Sequence, residues 1–245
     1  MIVFPEDKPR KPKKEPHYFF IYGAPMSGKT FFASYFPHAL DINTDNNAKQ
    51  SRVPFMSLLT DENDQPITNV IQRLDDIIKG LPKTTFRTII IDTIEDVVSA
   101  VTKQIADEAG EKYITDGKLA YGKGPSMVKK IIEDLVLELK ALPINVIWIS
   151  REEEQSDIAA GTTKIVPALK TKYYNIIAGN CDLVIRTQKL GPNSYYRSVE
   201  DKRSTYEPED ITDPRIRQLL ESIPEMFPPK PQTETKKQEK KKESK

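Results

Sequence analysis

Between residues 17 and 227, short apolar runs alternate with longer amphipathic stretches. Residues 18–22 (YFFIY), 88–92 (TIIID) and 145–150 (NVIWIS) are unbroken β-rich runs, the pattern of parallel strands buried on both faces. A shorter run spans 39–42. Residues 181–186 (CDLVIR) and 195–199 flank Gly191-Pro192-Asn193, which predicts an antiparallel pair across a tight turn. Helical spacing appears at 27–36 and, over a longer stretch, in Val128, Ile131, Leu135, Leu139 and Leu142. Residues 151–166 follow neither period and read as a long mobile loop. Strand and helix in alternation predict an α/β domain: a mostly parallel sheet flanked by helices, with a C-terminal antiparallel hairpin.

Both ends differ in character. Residues 1–16 are rich in Pro and Lys, and 228–245 pass from Pro-Pro-Lys-Pro into a Lys/Glu tract without apolar residues. Neither has a face to bury, so both are expected to be disordered, a basic N-terminal arm and a Lys/Glu-rich tail around a domain at 17–227. The net charge is +1; the tail's last ten residues carry +4 and the arm +2, which leaves the body near −5. Any nucleic-acid surface must then be a local patch. The single cysteine, Cys181, fits a reducing compartment. No apolar run reaches the roughly 20 residues of a membrane span, so a cytoplasmic protein with no membrane partner is expected.

The chemistry concentrates in residues 23–30, GAPMSGKT, which match GxxxxGK[ST] at every fixed position between a strand and a helix. Backbone N–H groups of Gly23, Ala24, Pro25's neighbours, Met26, Ser27, Gly28 and the first helical residues to Phe31 are expected to converge on nucleotide phosphates. Lys29 would reach the β- and γ-phosphates, and Thr30 would offer its hydroxyl to Mg²⁺. Asp92, ending a buried strand, is the expected second metal-side group. ATP and Mg²⁺ are thus the expected cofactors. The carboxylate that orients the attacking water stays open among Asp41, Asp45 and Glu95. A polar group among Ser150, Arg151 and Glu152 is a candidate sensor of the γ-phosphate. Lys202 and Arg203, just beyond a strand, are candidates for cations offered to a neighbouring subunit's phosphate.

These motifs, with INVIWISREEE at 144–154 and the run 167–182 ending in AGNCD, resemble the phage nucleotide-binding proteins of the AAA-type ATPase class, among them the RecA-like Sak-type single-strand annealing recombinases. The resemblance implies a RecA-like P-loop core and Mg-ATP hydrolysis. It also implies a homo-oligomer in the host cytoplasm, single-stranded DNA as partner, and cooperation with a single-strand-binding protein. Lys29 and Thr30 match its phosphate lysine and metal hydroxyl, Asp92 its Walker B aspartate, and Lys202 and Arg203 its trans cations. One position departs: members with a clear catalytic glutamate carry it where this chain has Asn43. An ATP-occupancy switch with little turnover is therefore a second expectation, and a small phosphotransferase a third.

Overall fold

The computed structural model describes residues 3–10, 12, 14–44, 51–63, 65–157 and 161–229. Eight strands form one sheet: β1 (Tyr18–Gly23), β2 (Ala39–Asn43), β3 (Phe55–Ser57), β4 (Thr88–Asp92), β5 (Asn145–Asp157), β6 (Thr162–Pro167), β7 (Leu183–Gly191) and β8 (Ser194–Lys202). Their order is β3-β2-β4-β5-β1-β7-β8, with β6 paired to the outer half of β5. All pairings from β3 to β7 along this path are parallel, and β7–β8 is antiparallel. This mostly parallel sheet, flanked by helices and closed by an antiparallel pair, is the architecture that the RecA-like resemblance implies.

Alternate residues of the central strands face two separate cores. Phe20, Leu40, Ile42, Ile89, Ile91, Val146 and Trp148 pack under α2 (Val70–Gly80), α3 (Ile94–Ala109), α4 (Lys123–Lys140) and α5 (Thr171–Ala178). Phe19, Ile21, Ile90, Ile147, Ile149 and Ile185 face the other way, toward α1 (Lys29–Ala33) and the C-terminal segment with α6 (Pro214–Glu221). Continuous apolar runs arise because both sheet faces are dry. The helices show local start and stop chemistry. Asn69 accepts from Gln72 N at the head of α2, Asp213 caps α6 just before Pro214, and Gly110 ends α3 in the left-handed conformation.

Asp182 ties the start of β1 to β7 by accepting from the backbone N–H groups of His17 and Tyr18, at 2.8 and 3.0 Å. The arm meets the body one step earlier, where Glu15 accepts from the backbone N–H and hydroxyl of Thr212, at 2.9 and 2.5 Å. Most of the Lys/Glu tail lies outside the described residues.

The stretch 151–166 is not a loop. β5 continues past the sheet to Asp157, and β6 returns beside it, pairing Glu152 with Pro167 and Asp157 with Thr162. Its outer residues are exposed and polar, so no apolar alternation marked them; backbone pairing joins the two strands, and Arg151 and Glu152 tie the base of the ribbon to Asp96 and Arg186. Among the described residues no helix is long and apolar enough to cross a membrane.

Candidate functional site

Three strands define the site. β5 lies between β4 and β1, pairing Ile149 with Asp92 on one side and Arg151 with Gly23 on the other. The carboxyl ends of β4 and β1, with the point where β5 passes beyond them, therefore open onto a common crevice, the usual ligand position in such sheets.

The loop from Gly23 to Thr30 is shaped by close approach. A Cβ on Gly23 would fall 2.2 Å from the carbonyl oxygen of Thr187 on β7, so only glycine lets the loop leave β1 there. Gly28 sits at φ 86°, where the chain turns into α1, and its hydrogen side abuts the Tyr195 ring. Buried Ser27 shares a 2.7 Å hydrogen bond with the hydroxyl of Thr187, pinning the loop to β7 a second time.

Lys29 is buried, and its ammonium donates to the carbonyls of Gly23 and Ala24 at 2.8 and 2.9 Å. Burial pulls its pKa below the ordinary lysine value, an effect partly offset by the charges of Asp92, Glu152 and Glu95. An anion arriving at the loop would meet a cation desolvated in advance and bonded only to neutral acceptors.

Thr30 donates its hydroxyl to Asp92 Oδ2 at 2.5 Å, so the two expected metal-side groups converge from α1 and β4. One hydroxyl and one carboxylate suit Mg²⁺, which keeps several waters and takes the rest of its shell from phosphates. The residues thus fit the ion as a nucleotide-bound partner. Among the described residues no group of three or more His, Cys, Asp or Glu could hold a metal alone.

The first turn of α3 supplies the next tier. Ser150, in the middle of β5 opposite Tyr22 of β1, donates its hydroxyl to Glu95 Oε1. The other oxygen, Oε2, is enclosed with no hydrogen-bond partner among the described residues. Burial raises the Glu95 pKa, and the Ser150 bond only partly opposes this. Beside it, Asp96 accepts both arms of Arg151, at 3.1 and 2.5 Å, and the hydroxyls of Thr93 and Thr44. Burial pushes Asp96 upward, but the bonds from Arg151 and Thr93 outweigh it and hold the carboxyl below its ordinary range. Across the end of β1, Glu152 of β5 and Arg186 of β7 form a largely buried pair at 2.9 Å.

Gly23 to Phe31, Lys29, Thr30, Asp92 and Glu95 thus stand around one crevice. Asp41 is fully buried on the sheet face toward α1, and Asp45 lies outside the described residues. Arg203 is not brought to this chain's own loop. It follows β8 beyond the pairing of Lys202 with Leu183, at the opposite end of the sheet from Gly23. There its guanidinium donates to the carbonyls of Cys181 and Gly179, at 3.0 and 2.5 Å, while Lys202 donates to Glu225 and Met226. Both cations serve as ties within the chain, because an antiparallel β8 carries its last residues away from the phosphate side. Asp96, Thr44, Thr187 and Arg186 are site neighbours not anticipated from the sequence. Thr187 left a readable trace, since it continues the buried face of Leu183 and Ile185 at the same two-residue step.

A strand-loop-helix phosphate cradle with an aspartate converging on its threonine defines a P-loop nucleotide-binding domain. Residues 15–206 match the family model described as "AAA domain", most of the chain, and the protein belongs to that family. No match is found among curated proteins. Among solved structures the chain is similar to the KaiC-like protein PH0186 from the hyperthermophilic archaeon Pyrococcus horikoshii OT3. The two share 13% identity over 79% of this chain and 83% of that one, with a TM-score of 0.47.

Proposed function

We propose that the protein is a Mg-dependent ATPase that acts as an oligomer on single-stranded DNA in recombination or replication of the phage type, in the cytoplasm and alongside a single-strand-binding protein. The observation that carries the nucleotide chemistry is the meeting of Thr30 and Asp92 beside the buried ammonium of Lys29. When bound between them, Mg²⁺ would neutralise charge on the phosphate oxygens. Lys29 trades its two carbonyl bonds for the polyphosphate, and the amides of the loop hold the remaining oxygens. Glu95 is the carboxylate best suited to orient water: it stands three residues past Asp92 and has one enclosed oxygen uncommitted. Burial raises its pKa, which makes it a stronger base than an exposed glutamate. The DNA and oligomer parts rest on the sequence resemblance.

The experiment is phosphate release with Mg²⁺ or with EDTA, each with and without a single-stranded oligonucleotide. Mg-dependent turnover raised by the oligonucleotide is expected. A second reading, an occupancy switch, is favoured by Asn43, which pairs with Asp92 at the end of β2 where the resemblance expects a glutamate. Tight ATP binding with negligible phosphate release, with or without oligonucleotide, would select the switch.

A further inference from the structure

A large cavity lies apart from the phosphate loop. About 840 Å³ in volume, it runs along α3 from Glu95 to Asp107, a helical length of roughly 18 Å. Its opposite wall is built by the connector after α3, carrying Lys112 and Tyr113, and by the segment entering α5, carrying Lys170, Lys172 and Tyr173. That volume lies within the usual range of ligand sites, on the order of 300–1,000 Å³.

Of the four lysines on these walls, one is paired and three have no ion-pair partner among the described residues. Lys103 on α3 is paired with Asp107. By contrast, Lys112, Lys170 and Lys172 are exposed and have no carboxylate within ion-pair distance among the described residues. The ammonium groups of Lys112 and Lys172 lie over the rings of Tyr113 and Tyr173, at 5.1 and 4.7 Å, and Tyr113 keeps 56% of its surface open to solvent. Three available cations and an open aromatic face along one elongated groove match a polymer that alternates phosphates with flat rings. The body of this protein is acidic, so such a patch stands out from its surroundings.

Glu95 lines one end of the cavity, and the same carboxylate accepts from Ser150 of β5, one residue before the Arg151 that pairs with Gly23. One side chain therefore touches both the groove and the strand beside the phosphate loop. We propose that this groove is the single-stranded polynucleotide site, with Lys112, Lys170 and Lys172 on the phosphates, and that Glu95 links its occupancy to ATP turnover. The assignment rests on the nucleic-acid reading above and adds to it the place of binding and the route of coupling.

The test measures anisotropy of a labelled oligothymidylate, with oligouridylate as a second arm, on wild type and on the triple variant Lys112→Ala/Lys170→Ala/Lys172→Ala. The variant is expected to bind at least tenfold more weakly, with a log–log salt slope shallower by about 2, the value for three lost contacts to a single strand. Its ATP affinity by calorimetry and its basal turnover are expected to match wild type, while stimulation by the oligonucleotide is lost. In wild type, photocrosslinking of a bromouracil-substituted oligonucleotide is expected to mark peptides 111–118 and 168–174, a readout independent of how the variant folds. Wild-type affinity and slope in the triple variant, or crosslinks only elsewhere, would overturn the groove. Stimulation that survives in the variant would overturn the coupling. A wild type that retains neither oligonucleotide at low salt sinks the nucleic-acid reading itself and the groove with it. A preference between the two arms decides between DNA and RNA and leaves the site in place.

Discussion

Lys29 holds a position few lysines occupy: buried, bonded to two carbonyls, and with its charge form disfavoured by desolvation. A bound polyphosphate reverses that bias, since an anion in contact favours the ammonium. Nucleotide binding should therefore take up protons on the alkaline side. Affinity is full below the depressed pKa of the free protein, falls as pH rises through it, and levels once pH passes the higher pKa of the complex. Calorimetry in buffers of different ionisation enthalpy, at neutral and alkaline pH, checks the uptake. Lys29→Ala removes charged hydrogen bonds worth about 1.5–3 kcal/mol, so ATP affinity should fall roughly 10- to 150-fold; unchanged affinity would mean that the phosphates sit elsewhere. Glu95 carries the opposite tension. Its folded pKa is raised, so the folded state holds the proton longer than the unfolded chain. Stability from this group is greatest below the unfolded value, declines as pH rises to the folded value, and is flat above it. Glu95→Gln should thus raise the melting temperature at neutral pH while lowering turnover by about 10²- to 10⁴-fold, as loss of a positioned base does. A variant that turns over normally would pass the role of base to another carboxylate.

At the level of elements, the phosphate loop depends on β7 as much as on β1. Gly23 has no room for a side chain against the Thr187 carbonyl, and Ser27 is anchored by the Thr187 hydroxyl. Thr187→Val keeps the shape and removes the bond, leaving buried Ser27 without its partner, at a cost of about 1–3 kcal/mol. Denaturant unfolding should show that loss, with weaker ATP binding because the loop is less well held. Gly23→Ala must push backbone against backbone and should cost at least as much. This dependence on β7 also explains what could be read in advance. β1, β2, β4 and the inner half of β5 were legible because burial on both faces leaves unbroken apolar runs, and GAPMSGKT was legible because phosphate binding restricts every fixed position. β3, with three residues, is too short to show a period. The β5–β6 ribbon carries Glu152, Glu153 and Glu154 in succession, so its pairing left no hydrophobic mark. Ser150 meets Glu95, and Arg151 meets Asp96, only through the register that sets β5 between β4 and β1. Such partners are assembled by topology across more than fifty residues of sequence.

The whole molecule is a sheet with two dry faces, and these are covered by different parts of the chain. One lies under α2 to α5; the other is covered by α1 and by residues 204–227, which bury Tyr206, Ile211, Ile216, Leu220, Ile223 and Met226 against Phe19, Ile21, Ile90 and Ile185. The family match ends at residue 206, before nearly all of that cover. The C-terminal segment is nonetheless part of the fold, because without it the strand that launches the phosphate loop would present Phe19 and Ile21 to water. Leu220 is fully buried, so Leu220→Ala should destabilise the protein by about 2–5 kcal/mol. For a chain of this size that lowers the melting temperature by roughly 5–20 °C. Truncation after residue 206 removes five buried apolar side chains together and should yield aggregated protein. The same logic separates cover from chemistry. Scanning calorimetry of Leu220→Ala should show the lower transition, while ATP affinity measured well below that transition stays at the wild-type level, since the segment's buried side chains pack on the sheet face and α1. A Leu220→Ala protein that melts normally would show that the segment does not seal this face; one that melts early and has also lost ATP binding at low temperature would show that the cover shapes the loop through β1.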